Sequence, residues 1–389
     1  MANITLFSQI ISKLDRFSFN KLVKARQTDK HQKGYTSWTH LVAMLFCQFA
    51  KSQSVRDISN GLRSATGNLN HLGISKAPSK STISYQNKHR DWELFRDYYY
   101  QLLKQLGQQA GFKQVKFRIK SKILLLDSTT ISLCLSLFDW AKYKTRKGAV
   151  KMHTLLDYDG NLPAYVNITD GKTADNKGAY DIPLLKNSVI VADRFYNDFS
   201  LLNVWDSSGV YFVIRHKENL TYETIRENEL PDGRHEHILK DEIIELTGAK
   251  SKKKYTGKLR RVTVWDAENE QVIELITNQL TWGANTIGEL YKSRWQIEIF
   301  FREIKQLLHI KSFIGTTENA VMIQIWTALI TILILKALKA MAKYGWYLSN
   351  LVGFIRLHLF VKINLQQWLD HPFDQGKSPP EVGIQGVLF

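Results

Sequence analysis

The chain has 389 residues, with 53 Lys and Arg against 36 Asp and Glu, a formal net charge of +17 and a pI near 9.6. That charge favours a polyanionic partner, either nucleic acid or an anionic membrane surface, and 44% hydrophobic residues exclude a disordered chain. Two cysteines, Cys47 and Cys134, stand far apart with no CxxC pairing, which points to a reducing compartment and away from a zinc site.

The N-terminal stretch MANITLFSQIISKLDRF lacks a basic start followed by a long apolar run, so no signal peptide is expected. Residues 1–114 read as helical. TSWTHLVAMLFCQFAKS carries apolar residues at helical spacing, and SVRDISNGLRSATGN reads as a shorter helix ending near Gly61 or Gly67. Pro78 and Ser79 then signal a helix start. Ser81, Thr82, Ser84, Tyr85, Asn87, Lys88 and Arg90 offer donors suited to phosphates and base edges, as in the second helix of a helix-turn-helix; an ordinary polar surface helix fits as well.

From residue 115 to 217 the texture turns β-rich. KILLLDSTTISL, GAVKMHTLLDYDG and LPAYVNITDG predict an antiparallel meander, with Asp159-Gly160 as a hairpin turn. NKGAYDIPLLKN reads as a helix, SVIVADRFY as a strand beside the first, NDFSLLNVWDSSG as a helix and VYFVIRHK as a fifth strand. Lys142, Lys144, Arg146, Lys147 and Lys151 are expected on a loop where a phosphate backbone would pass. Residues 218–280 add strands EHILKDEIIEL, GKLRRVTVWDA and QVIELITNQ, separated by the basic segment KSKKKYTGKLRR. Residues 281–315 carry a helix, and 316–389 further helices and a Pro-containing tail expected to be irregular. The 17 uncharged residues from Asn319 to Leu335 fall short of the ~20 that span a bilayer, and we read them as a buried core helix.

Chemistry concentrates in the run YKSRWQIEIFFREIK. At about 100° per residue, Tyr291, Arg294, Glu298 and Lys305 fall within roughly 60° of arc on one helix. Leu290, Ile297, Phe301, Ile304 and Leu308 form a second, apolar stripe for packing on a core. Upstream, short apolar runs deliver Asp127 and Asp193 at strand ends. A buried carboxylate is costly unless paired or metal-bound, although each aspartate alone also fits a turn or a helix cap. Together with Glu298 they make three carboxylates able to hold two divalent cations about 4 Å apart, the arrangement for in-line phosphoryl displacement.

On these residues the sequence resembles the DDE transposases of bacterial insertion sequences, in the family founded on insertion sequence four. The Y-x2-R-x3-E-x6-K signature is met at all four positions, LLLDSTTI resembles the first-aspartate strand and VADRFY the second. Phe195 departs from the glycine usual two residues after the second aspartate, which puts the turn there in question. The resemblance implies an α/β fold: an RNase H-like core (115–217 and 281–315) interrupted by the β-rich insertion (218–280), with a helical N-terminal domain binding DNA ends and C-terminal helices. It implies Asp127, Asp193 and Glu298 as catalytic metal ligands for two Mg²⁺, with Mn²⁺ as a substitute. Tyr291, Arg294, Lys305 and the lysine-rich loop would hold phosphates, and Trp282 is the aromatic placed to stack on an extruded base. Partners would be the terminal inverted repeats and target DNA, with a homodimer on DNA, no membrane, and action at the nucleoid in the cytoplasm.

Two rival readings use the same residues: an RNase H-like nuclease without strand transfer, and an inactive DNA-binding protein. Gly171-Lys172-Thr173 imitates the end of a phosphate-binding loop, but Val166 stands where its first glycine is required. His235 and His237 lack further ligands at metal spacing and read as surface residues.

Overall fold

The computed structural model describes residues 4–65, 67–107, 117, 119–133, 140, 142–144, 147–216, 220–230, 237–308, 310 and 313–373. Cys134, Arg146, His235 and the tail 374–389 lie outside these, and for Lys142, Lys144 and Lys147 only the backbone is described.

Among the described residues six α-helices come first: α1 (Leu6–Ser12), α2 (Arg16–Arg26), α3 (Ser37–Ala50), α4 (Val55–Ser64), α5 (Lys80–His89) and α6 (Glu93–Gly107). Their starts are set by side-chain caps: Thr5, Asp15, Thr36, Ser54 and Ser79 each accept a backbone N–H of the first turn. Residues 65–79 separate α4 from α5, far more than the three- or four-residue turn of a helix-turn-helix. Lys80, Ser81, Ser84, Tyr85, Lys88 and His89 face solvent on α5. Asn87 and Arg90, expected among the outward donors, are instead buried: Asn87 bonds His40 at 2.7 Å, and Arg90 donates to the Tyr35 and Thr36 carbonyls.

The sheet elements follow as β1 (Ile123–Leu133), β2 (Lys142–Lys144), β3 (Lys147–Asp157), β4 (Leu162–Asp170), α7 (Asp175–Ala179), β5 (Val189–Ala192), α8 (Phe199–Ser207), β6 (Tyr211–Arg215), β7 (Tyr222–Glu227), β8 (Ile238–Leu246), α9 (Ala249–Lys254), β9 (Leu259–Asp266) and β10 (Gln271–Thr277). They form one sheet in the order β2-β3-β1-β5-β6-β10-β9-β8-β7, with β4 also on β3. β1, β5 and β6 run parallel, and the other pairs are antiparallel. The predicted meander β1, β3, β4 is present. The strands of 222–277 extend this same sheet through β10 against β6.

Period-two alternation divides the core. Ile123, Leu125, Val189, Val191 and Val213 face one hydrophobic cluster, and Leu124, Leu126, Ile190, Ala192 and Phe212 face the other, with α7 and α8. The first face is covered by α10 (Ala284–Ser293), α11 (Trp295–Leu307) and α12 (Glu318–Met341), followed by α13 (Leu348–His358) and α14 (Leu365–Asp370).

α12 is apolar and long enough to cross a membrane, yet 89% of its most apolar window is buried within the protein, as a core helix. Three of its buried polar side chains are satisfied internally: Thr327 and Thr331 bond carbonyls one turn back, and the Gln324 side chain accepts the Ile314 N–H. The Leu6 and Phe7 N–H groups, left unpaired at the start of α1, bond the Val361 and Leu359 carbonyls. The first and last helices therefore share one body.

Candidate active site

Asp127 and Asp193 are brought together by register. Leu126 of β1 lies opposite Ala192 of β5 in a parallel pair. Asp193 is the residue that leaves β5, whereas Asp127, expected at a strand end, lies within β1 and still pairs with Thr154 of β3; the two stand on adjacent strands, about 4.8 Å apart, at the same level. Asp127 continues the alternation of Ile123 and Leu125 and faces α11. Asp193 caps a 3₁₀ turn, Arg194–Tyr196, its side chain accepting the Arg194 N–H. Phe195 sits in that turn without left-handed backbone, 58% exposed, so no glycine is needed there.

The third carboxylate arrives on a jointed helix. Tyr291 belongs to α10, whereas Glu298 and Lys305 belong to α11; the break falls at Arg294, which caps the end of one and the start of the other. Around it the bonds tighten to Arg294 N–H to Tyr291 and Ile297 N–H to Arg294, while the Ser293 hydroxyl donates to the Leu290 carbonyl. That hydroxyl competes with the backbone ladder, which accounts for the joint. The expected apolar stripe holds: Leu290, Ile297, Phe301, Ile304 and Leu308 are all buried.

Arg294 pairs with two of the three carboxylates. Its guanidinium lies 2.7 Å from Glu298 Oε1 and 3.7 Å from Asp127 Oδ2, with the Tyr291 ring 5.7 Å from its centre. A residue read as a phosphate clamp is here the cation between two carboxylates. Burial opposes its charge, but Tyr291, Glu298 and Asp127 outweigh that and raise its pKa. Asp127 is pushed up to about 7, chiefly by burial and further by the charges of Asp193 and Glu298, with the Ser128 N–H and Arg294 pulling the other way. Tyr291 is likewise raised by burial.

The donor chemistry suits a hard divalent cation: three carboxylates, with no thiolate or imidazole among them. As placed, however, no three such side chains among the described residues converge closely enough to hold an ion. Arg294 lies between Asp127 and Glu298.

Other predicted residues lie away from this centre. Leu133 pairs with Gly148, so the hairpin of Lys142, Lys144 and Lys147 stands roughly 20 Å along β1 from Asp127. Trp282 is half-buried against Tyr211, ring centroids 5.6 Å apart, between clefts of about 710 and 500 Å³. Tyr211 pairs with Val189 at the start of β5, while Asp193 follows its end, so the length of β5, roughly 13 Å, separates Trp282 from the carboxylates. The exposed rings near the acidic residues are instead Phe195 and Trp295, the latter 54% exposed and next to Arg294.

Sequence reasoning passed over Ser128, Asp175 and Tyr196, which form a polar group behind Asp127 together with Lys151, a residue expected on a phosphate-facing loop and found instead within β3. The Ser128 hydroxyl donates to Asp175, and Lys151 pairs with Asp175 at 3.1 Å. Strand alternation could have placed Ser128 and Lys151 on one face, but nothing local connects Asp175 to them.

A family model for Transposase DDE domain matches residues 118–334, and one described as Domain of unknown function (DUF4372) matches residues 2–75. The chain is 30% identical to a protein of Sinorhizobium fredii named as transposase y4zB, over 67% of this chain and 71% of that one. It is 27% identical to a transposase for insertion sequence element IS5377 of Geobacillus stearothermophilus, over 71% and 72%. A transposase for element IS4SA of Synechocystis sp. is 27% identical, over 74% and 80%.

Proposed function

The chain belongs to the DDE transposases of the insertion-sequence-four family, and on that footing we propose that it moves DNA by cut-and-paste, with Asp127, Asp193 and Glu298 as its catalytic carboxylates. It is an insertion-sequence transposase, and its partner is DNA. The observation that carries the site assignment is the Leu126–Ala192 register, which sets Asp127 beside Asp193 while Arg294 ties Asp127 to Glu298.

Asp127, Asp193 and Glu298 would together hold two Mg²⁺ ions; Mn²⁺ would substitute. Bound there, the ions supply an activated water and a counter-charge for the leaving 3′ oxygen. Arg294 balances the carboxylates in the DNA-free protein. Released from them, it joins Tyr291 and Lys305 in orienting the phosphate for in-line attack. The 3′-hydroxyl set free at the element end is then the nucleophile on target DNA.

We assign the strands β1, β3, β4, β5 and β6 with α11 to an RNase H-like core, spanning 115–217 and 281–315, and 218–280 to an insertion. Residues 1–114 bind the terminal inverted repeats, with the outward face of α5 as the reading surface, and 316–389 are assigned to a C-terminal helical region and tail. The Lys142–Lys147 hairpin and the Trp282 clefts contact DNA away from the carboxylates. Two ends joined at once require a dimer on DNA, acting at the nucleoid in the cytoplasm.

The test is Mg²⁺-dependent cleavage of a duplex bearing the element's terminal repeat, with Glu298→Gln alongside. Glu298→Gln is expected to bind the repeat and not cut it, since it removes a charged oxygen donor at nearly constant volume. Equal cutting by both proteins would remove Glu298 from the mechanism. Binding without cutting by wild type would leave a DNA-binding protein, and cutting without joining a supplied 3′-hydroxyl to a second duplex would leave a nuclease.

A further inference from the structure

We propose that Asp175 is a positioning residue for Asp127, acting through Ser128 from the opposite face of the sheet; this rests on the reading of Asp127 as a metal-holding carboxylate. Successive strand residues point to opposite faces, so Asp127 faces α11 and Ser128 faces α7. Ser128 spans the two. Its N–H donates to Asp127 Oδ1 at 2.7 Å, and its hydroxyl donates to Asp175 Oδ1. Fixing the Ser128 side chain therefore fixes the peptide whose N–H holds the Asp127 carboxylate.

The surroundings of Asp175 suit that task. Lys151, 14% exposed, pairs with Asp175 at 3.1 Å and also donates to the Thr173 carbonyl at 2.8 Å. Its charge offsets that of Asp175, so the fourth carboxylate adds little negative potential to a site that already holds three. Tyr196, buried three residues after Asp193, faces Ser128 from the remaining side. α7 itself is held tightly. Asn176 donates to Asp198 at 3.2 Å, and Gly178 lies so close to the buried His153 ring that a Cβ there would stand 2.6 Å from Nδ1. Groups that orient a metal ligand in this indirect way typically change affinity or activity about 10- to 100-fold when removed.

The experiment measures Mn²⁺ binding to the DNA-free full-length protein by calorimetry, together with the Mg²⁺ midpoint of end cleavage. Wild type is compared with Asp175→Ala, Asp175→Asn, Ser128→Ala and Asp127→Asn. Asp175→Ala is expected to weaken Mn²⁺ binding and raise the Mg²⁺ midpoint about 10- to 100-fold, with affinity for the repeat unchanged. Asp175→Asn, whose amide oxygen still accepts from Ser128, is expected to recover most of the loss. Ser128→Ala, which cuts the same link but leaves the Asp175–Lys151 pair intact, is expected to match Asp175→Ala and decides the matter if Asp175→Ala does not fold. Unchanged Mn²⁺ affinity in Ser128→Ala, or an Asn variant as impaired as the Ala variant, would overturn the inference. If Asp127→Asn binds Mn²⁺ like wild type, the metal reading of Asp127 itself fails, a result separate from the others.

Discussion

Replacing Asp127 by Asn should stabilise the DNA-free protein at alkaline pH and lose that advantage as pH falls. Burial raises the Asp127 pKa from 3.8 to about 7, a shift of 7 − 3.8 = 3.2. The native state therefore binds a proton more readily than the unfolded chain. The contribution of this group to stability is fully present below pH 3.8 and is lost as pH rises through 7. At 1.36 kcal/mol per unit the whole span is worth about 4 kcal/mol, and the part falling between about pH 8 and about pH 5.5 is roughly 2 kcal/mol. Asn has no proton to exchange. The stability of Asp127→Asn minus that of wild type should thus shrink by roughly 2 kcal/mol on going from about pH 8 to about pH 5.5. Urea unfolding of both proteins in chelator at the two pH values measures it, since titrations common to both cancel. A difference that stays flat, or grows on acidification, would show that Asp127 ionises freely and is not desolvated between the sheet and α11.

Two further substitutions test the neighbourhood. Arg294→Ala removes the cation that separates Asp127 from Glu298. It should cost about 1–2 kcal/mol of stability in chelator, discounted from a fully buried pair because all three side chains keep some exposure, and should enlarge the stabilisation conferred by Mn²⁺. A thermal shift with Mn²⁺ no larger than that of wild type would mean that Arg294 does not compete for the carboxylates. Gly178→Ala pushes a methyl group onto the His153 ring, which is 1% exposed and bonded to Thr169. Overpacking of this kind should destabilise by about 1–3 kcal/mol, and an unchanged melting temperature would show that α7 can move away from β3.

How much of this was legible in the sequence follows from the range of the forces involved. The four-residue apolar run before Asp193, the run before Asp127 and the 3.6-residue stripe of Leu290, Ile297 and Phe301 are local patterns, because burial on one face imposes its period on the chain. The caps at Thr36 and Ser79 are equally local, each a side chain within three residues of the N–H it satisfies. From these, the strands, the helix and the three acidic residues could be named with their order and spacing.

Tertiary structure decided what those residues touch. The Leu126–Ala192 register joins positions 66 residues apart, and only strand pairing could set Asp127 level with Asp193. Arg294 reads in sequence as one more cation on a charged stripe. Its turn toward Asp127 depends on a negative charge from another element within reach and little water to screen it. Asn87 and Arg90 share their helix with exposed donors, yet packing against α3 and its preceding loop turned them inward to His40, Tyr35 and Thr36. Trp282 precedes the signature helix by a few residues, but the antiparallel return of β10 along β6 carries it to the opposite end of the strands from the carboxylates. Asp175 met Ser128 because Gly178 let a short helix settle on His153. Periodicity fixes which face a side chain occupies; which partner waits on that face is set by long-range pairing, to which a local pattern is blind.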